Sequence, residues 1–78
     1  MPRFFFHVRD DVDAPDPEGL VLADAEKALQ EALRGARAIA AAQVLEGHLH
    51  LSHRIEVEDE SGATIATITF RDAVAVDG

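Results

Sequence analysis

Pro2-Arg3-Phe4-Phe5-Phe6-His7-Val8-Arg9-Asp10 holds three of the four phenylalanines in the chain. Residues 3–9 read as a β-strand, in which successive side chains alternate between faces. Phe4, Phe6 and Val8 then share one face, and Phe5, His7 and Arg9 share the other. Apolar weight lies on both sides of this strand, in a chain with little else of comparable bulk to bury.

The segments downstream indicate what the strand packs against. Residues 10–19, Asp-Asp-Val-Asp-Ala-Pro-Asp-Pro-Glu-Gly, have the composition of an acidic loop closed by Gly19. Leu20-Val21-Leu22 is long enough for a short strand pairing back on the first. Asp24 is placed to accept from the free N–H groups of a helical first turn, and Glu26 adds favourable charge at that end. Ala25 to Glu46 is helical in composition, and Gly47 stands where a left-handed C-terminal cap is expected. At about 100° per residue, Ala25, Ala28, Leu29, Ala32, Leu33, Ala36, Ile39 and Ala40 gather on one face; Glu26, Lys27, Gln30, Glu31, Arg34 and Arg37 gather opposite. A buried stripe made mostly of alanine lets the helix lie close to its partner, which must bring the bulk.

That partner is a sheet. His48-Leu49-His50-Leu51 alternates briefly, and Arg54-Ile55-Glu56-Val57-Glu58 alternates cleanly, with Ile55 and Val57 inward. Asp59-Glu60-Ser61-Gly62 reads as a hairpin connection with Gly62 at a positive-φ position. Ala63 to Phe70 is the return strand, rich in Thr and Ile. Ala66, Ile68 and Phe70 share one of its faces, Ile65 takes the other, and residues 73–76 extend or follow it. The expected architecture is one α+β domain over residues 1–78: a three- to four-stranded antiparallel or mixed sheet, β-(β)-α-β-β, with one long helix packed on one face.

Composition narrows the function classes. Fifteen acidic and seven basic residues give a net charge of −8, a field that repels nucleic-acid phosphates, and no basic stripe offsets it. The chain has no cysteine, so disulfides and thiolate metal sites are excluded. No basic segment followed by an apolar run opens it, and no apolar run approaches membrane-spanning length, so a cytoplasmic protein is expected. A stable domain of this size has about 4–12 kcal/mol of folding free energy.

Taken in order, Pro2 to Asp10, Glu18-Gly19, the alanine-rich helix, Arg54 to Asp59, Gly62 and Phe70-Arg71-Asp72-Ala73-Val74 resemble a domain-of-unknown-function family of short bacterial proteins. Its members open with a Pro-Arg-Tyr/Phe-Phe-Phe-His-like strand. The resemblance spans nearly the whole chain and implies a bacterial, stand-alone soluble unit with no assigned activity. Where the family has a glycine after the opening Arg-Asp, this chain has Asp11. Histidines at 48, 50 and 53 are not part of the family pattern.

The sharpest chemical constellation is His48-Leu49-His50-Leu51-Ser52-His53, with His7 as a distant fourth candidate. Imidazoles suit Zn²⁺ or Ni²⁺, and a site needs three or four donors about 2.0–2.2 Å from the ion. His48 and His50 share a strand face, whereas His53 joins them only if the chain turns at Ser52; otherwise the tract is a polar connection. Glu56 and Glu58 project about 6.6–6.8 Å apart on one strand face, a separation used by inverting glycosidases. Any strand with alternating acids shows it, and pairing with Arg9, Arg54 and His7 is the plainer reading. Asp10, Asp11, Asp13, Asp16 and Glu18 do not follow the spacing of an EF-hand loop. No Ser-His arrangement supports nucleophilic catalysis, and no glycine run cradles phosphate.

One helix covers only one face of a sheet, which leaves Phe5 and Ile65 on the other unless Ala73-Val74-Ala75-Val76 folds back over them. Open apolar patches on small domains mark contact surfaces. The expectation is a small non-catalytic protein-interaction module, homodimeric through the open sheet face or an edge strand, with Phe5, His7, Arg9 and Ile65 at the interface and no cofactor. The alternatives are a metal-binding protein using His48, His50, His53 or His7, and a small enzyme using Glu56 and Glu58.

Overall fold

A computed structural model describes residues 1–10 and 13–77; Asp11, at the family's glycine position, lies outside them. Strand β1 (Arg3–Arg9) is followed by β2 (Leu20–Val21), helix α1 (Ala25–Leu45), β3 (Arg54–Glu58), β4 (Thr64–Thr69) and a single helical turn, α2 (Phe70–Ala73). The strands form one sheet in the order β2-β1-β3-β4. Every pairing is antiparallel, with Phe4 opposite Leu20, Val8 opposite Ile55, and Ile55 opposite Ile68. The open choice between an antiparallel and a mixed sheet resolves to antiparallel. Among the described residues no helix is long and apolar enough to cross a membrane.

Helix α1 begins where the local chemistry places it. Asp24 accepts from the Lys27 N–H at 2.9 Å, and the helix ends in a Schellman motif. Gly47 N–H donates to the Val44 carbonyl and His48 N–H to the Gln43 carbonyl, both at 3.0 Å. Ala28, Ala32, Ala36 and Ala40 are buried against Phe4, Ile55, Val57, Phe70 and Ala73, with Phe6, Val8, Leu33, Ile39 and Ile68 packed around them. Spacing of three to four residues thus selects a stripe narrower than the sequence suggested: Ala25 and Leu29 lie at its exposed margin.

Two expectations are corrected here. His48 to Leu51 is not a strand; it is the connection after α1 and turns at Leu51-Ser52. Phe70 does not end β4 but opens α2, because Thr69 and Asp72 form a capping box. Asp72 N–H donates to Thr69 Oγ1 at 3.1 Å and Thr69 N–H to Asp72 Oδ2 at 3.2 Å. The turn carries Ala73 and Val74 back onto the helix side of the sheet, where they join the core. Arg37, assigned to the solvent face of α1, donates from Nε to the Ala73 carbonyl at 2.7 Å. The C-terminal segment therefore closes the helix side, and the opposite face of the sheet has no cover from it.

Candidate functional site

The face turned away from α1 carries Phe5, His7 and Arg9 from β1, Arg54, Glu56 and Glu58 from β3, and Ile65, Thr67 and Thr69 from β4. Cross-strand neighbours on this face are complementary in charge. Arg9 Nε bonds Glu56 Oε1 at 2.7 Å, and Arg54 Nε approaches Glu56 Oε2 at 3.4 Å. Arg9 also reaches Asp13 at 3.7 Å, and His7 Nε2 lies 3.4 Å from Glu58. The hydrogen bond from Arg9, with Arg54 adding to it, holds the Glu56 carboxyl below its ordinary range. A carboxylate kept ionised in this way is unsuited to act as a general acid. Among the described residues no pocket opens beside Glu56 and Glu58.

Loop residues 13–19 run along the outer edge of β1 and take up its free groups. Ala14 bridges Val8, and Asp16 does most of the remaining pairing. Its Oδ2 accepts from Phe6 N–H at 3.2 Å, and its Oδ1 accepts from Gly19 N–H at 3.0 Å and Glu18 N–H at 3.3 Å. Partial burial alone would raise the Asp16 carboxyl; the bonds from Gly19, Phe6 and Glu18 together outweigh it and hold the group low. Asp16 N–H donates to His7 Nδ1 at 3.0 Å. Neutral His7 therefore carries its proton on Nε2, toward Glu58. The Phe5 ring lies so close to Gly19 that a Cβ there would stand 2.9 Å from it. Of the interface candidates, Phe5, His7 and Arg9 are thus half-buried by contacts within the chain, while Ile65 is exposed.

The histidines of the connection do come together. Chain reversal at Leu51-Ser52 brings the His48 and His50 ring centres to 4.8 Å and stacks His50 on His53 at 4.5 Å, 18° from parallel. His53 is buried, with its ring edge-on to Phe70. Gln43 Oε1 accepts from His50 N–H at 3.0 Å, which turns Gln43 Nε2 toward His53 Nδ1 at 3.1 Å. Stacked rings hold their in-plane lone pairs side by side rather than aimed at one point. Among the described residues no group of three or more His, Asp or Glu side chains is placed to hold a metal ion. His7 cannot join this group. It lies on the open face, whereas His53 is two residues before the inward-facing Ile55. The cluster is a peg joining the end of α1 to the starts of β3 and α2.

Gln43 and Asp16 are the organising residues that the sequence reading missed. Asp16-Pro17-Glu18-Gly19 has Asp, Pro and Gly at the positions a type I turn prefers, and that signal could have marked Asp16 as a turn organiser. Gln43 had no signal, since its partner is set only once the chain turns. At the hairpin, Asp59 Oδ1 accepts from the Ser61 hydroxyl, Ser61 N–H and Ala63 N–H, and the Ser61 bond chiefly holds its carboxyl low.

A pH dependence follows from these carboxylates. Glu56, Asp16 and Asp59 have folded-state values below their unfolded ones. Their stabilisation is complete above the unfolded carboxylate range and is lost as pH falls through the folded values. Thermal unfolding at physiological ionic strength is expected to give a melting temperature that is flat near neutrality and declines below about pH 4. Glu56→Gln and Asp59→Asn should each flatten that decline; a melting temperature that rises into acid contradicts it.

No curated protein and no solved structure matches the chain. The match that does exist runs through the β1 strand, the Asp16–Gly19 turn, the alanine stripe, the paired acids of β3 and the start of α2. The family model described as Domain of unknown function (DUF6894) matches residues 3–71, and the chain belongs to that family.

Proposed function

We propose that this chain is a small non-catalytic protein-interaction module that works by self-association along its sheet. The observation that carries the reading is β4. This strand, Thr64-Ile65-Ala66-Thr67-Ile68-Thr69, has no charged residue and forms one border of the sheet. Every other strand with more than two residues carries Arg, Glu or both. An uncharged edge strand is a template for pairing with another chain. The opposite border is treated differently: β2 has two residues, and loop residues 13–19 cover the rest of the β1 edge.

The open sheet face is the weaker candidate surface. Its central charges already have partners within the chain, and removing them from water would cost desolvation free energy that those pairs do not repay. Phe5 is spent on packing against Gly19. Charge argues in the same direction, since two copies at −8 each associate best where no like charges meet. Sedimentation over a concentration series at physiological salt is expected to show a dimer at tens of micromolar. A species that stays monomeric throughout that range rejects self-association.

A further inference from the structure

We infer that the occupant of the β4 edge is a second copy of this chain, paired antiparallel about a two-fold axis through Thr67; this deepens the proposal above and rests on it. The register comes from the phase of the β3–β4 ladder. Phe70 N–H donates to the His53 carbonyl at 2.8 Å, one step beyond the Arg54–Thr69 pair. Hydrogen-bonded and non-hydrogen-bonded pairs alternate in an antiparallel ladder. Ile68 and Ala66 therefore bond Ile55 and Val57, and Thr67, opposite Glu56, turns its N–H and C=O to the free edge.

The positions beside Thr67 are compromised. The register shifts between Val57 and Glu58, leaving Ile65 as the extra residue of a bulge. Thr69 N–H is taken by Asp72. Thr67 is thus the residue of this strand whose two outward groups are undisturbed, and a reciprocal pair of bonds between Thr67 and its counterpart satisfies both.

That choice decides every other neighbour. A two-fold axis perpendicular to the sheet keeps each residue on its own face. Ala66 then lies opposite Ile68 of the second copy on the helix side, a small residue against a large one at the flank of each core. Ile65 lies opposite Thr69 on the open side, and Thr67 pairs with itself. No pair brings like charges together, and Thr–Thr and apolar cross-strand pairs are favourable. The result is a continuous eight-stranded sheet with both copies of α1 on one side.

A chain without cysteine makes single-cysteine variants clean probes. In this register the two Thr67 Cα atoms stand about 5.5 Å apart, within disulfide range. The two Ala66 Cα atoms are offset along the strands to roughly 8 Å, beyond it. Under mild oxidation at tens of micromolar, Thr67→Cys is expected to bridge at least about tenfold faster than Ala66→Cys. Thr67→Pro removes the outward N–H without touching the β3 ladder. It should keep the monomer's circular dichroism and weaken dimerisation about tenfold or more. If sedimentation shows a dimer but the two cysteine variants bridge equally, or Ala66→Cys bridges faster, the Thr67 register is overturned and self-association stands. If the unmodified chain is monomeric, both are overturned.

Discussion

Phe70→Ala is expected to remove most or all of the stability of the domain. Phe70 is completely buried and, with Val57, is the largest side chain to be so. It stands where β4 gives way to α2, and its ring meets the edge of His53 at 5.8 Å between centres. Deleting a buried phenylalanine to alanine costs about 3–5 kcal/mol, against about 4–12 kcal/mol for a domain of this size. Neighbours cannot collapse into the space, because the facing stripe of α1 is alanine and already against the sheet. Urea unfolding followed by circular dichroism should show Phe70→Ala unfolded or nearly so without denaturant. Phe70→Leu should keep a cooperative transition, since it retains most of the apolar volume. A loss under about 1 kcal/mol for the alanine variant would mean that the packing at this junction is wrong.

The second large effect is expected at Gly19. Its φ of +69° already disfavours any side chain, and a Cβ there would lie 2.7 Å from the Phe4 carbonyl oxygen and 2.9 Å from the Phe5 ring. The left-handed conformation costs roughly 1–2 kcal/mol for a non-glycine residue. The contact adds more, because the carbonyl belongs to the backbone of β1 and cannot swing aside; such overpacking costs about 1–3 kcal/mol. Gly62 supplies the comparison. Its φ is +88°, but nothing lies within 4 Å of a Cβ built on it. Gly62→Ala should therefore carry only the conformational cost, and Gly19→Ala clearly more. Equal midpoints for the two variants in urea would remove the close approach of the loop to β1.

Much of the fold was legible because it rests on periodicity and caps. Alternation in residues 3–9 and 54–58 gave β1 and β3 with their faces, and Asp24 and Gly47 bounded α1. The paired acids of β3 were read correctly as partners of Arg9, Arg54 and His7. What escaped depends on reversals too short to carry a period. Thr69-Phe70-Arg71-Asp72 has the spacing of a capping box, yet Phe70 also continues the alternation of β4, and only packing under α1 decides between them. Likewise His48 and His50 look like one strand face, and only the turn at Leu51-Ser52 stacks His50 on His53. For the interface, sequence parity found Ile65 exposed but could not show that Gly19 and Asp16 would occupy Phe5 and His7.

The pairing of β1 with β3 has a consequence for the order in which the chain can fold. Phe5 lies opposite Glu58 and Arg9 opposite Arg54, so the first strand to leave the ribosome finds its central neighbour only after more than half the chain has followed. Until then Phe4, Phe5 and Phe6 have only the two-residue β2 and an acidic loop for company. Such distant pairings close slowly, and exposed apolar strands aggregate while they wait. The −8 charge of the chain, concentrated beside that strand in residues 10–18, gives the nascent chain electrostatic protection during the interval in which it needs it most.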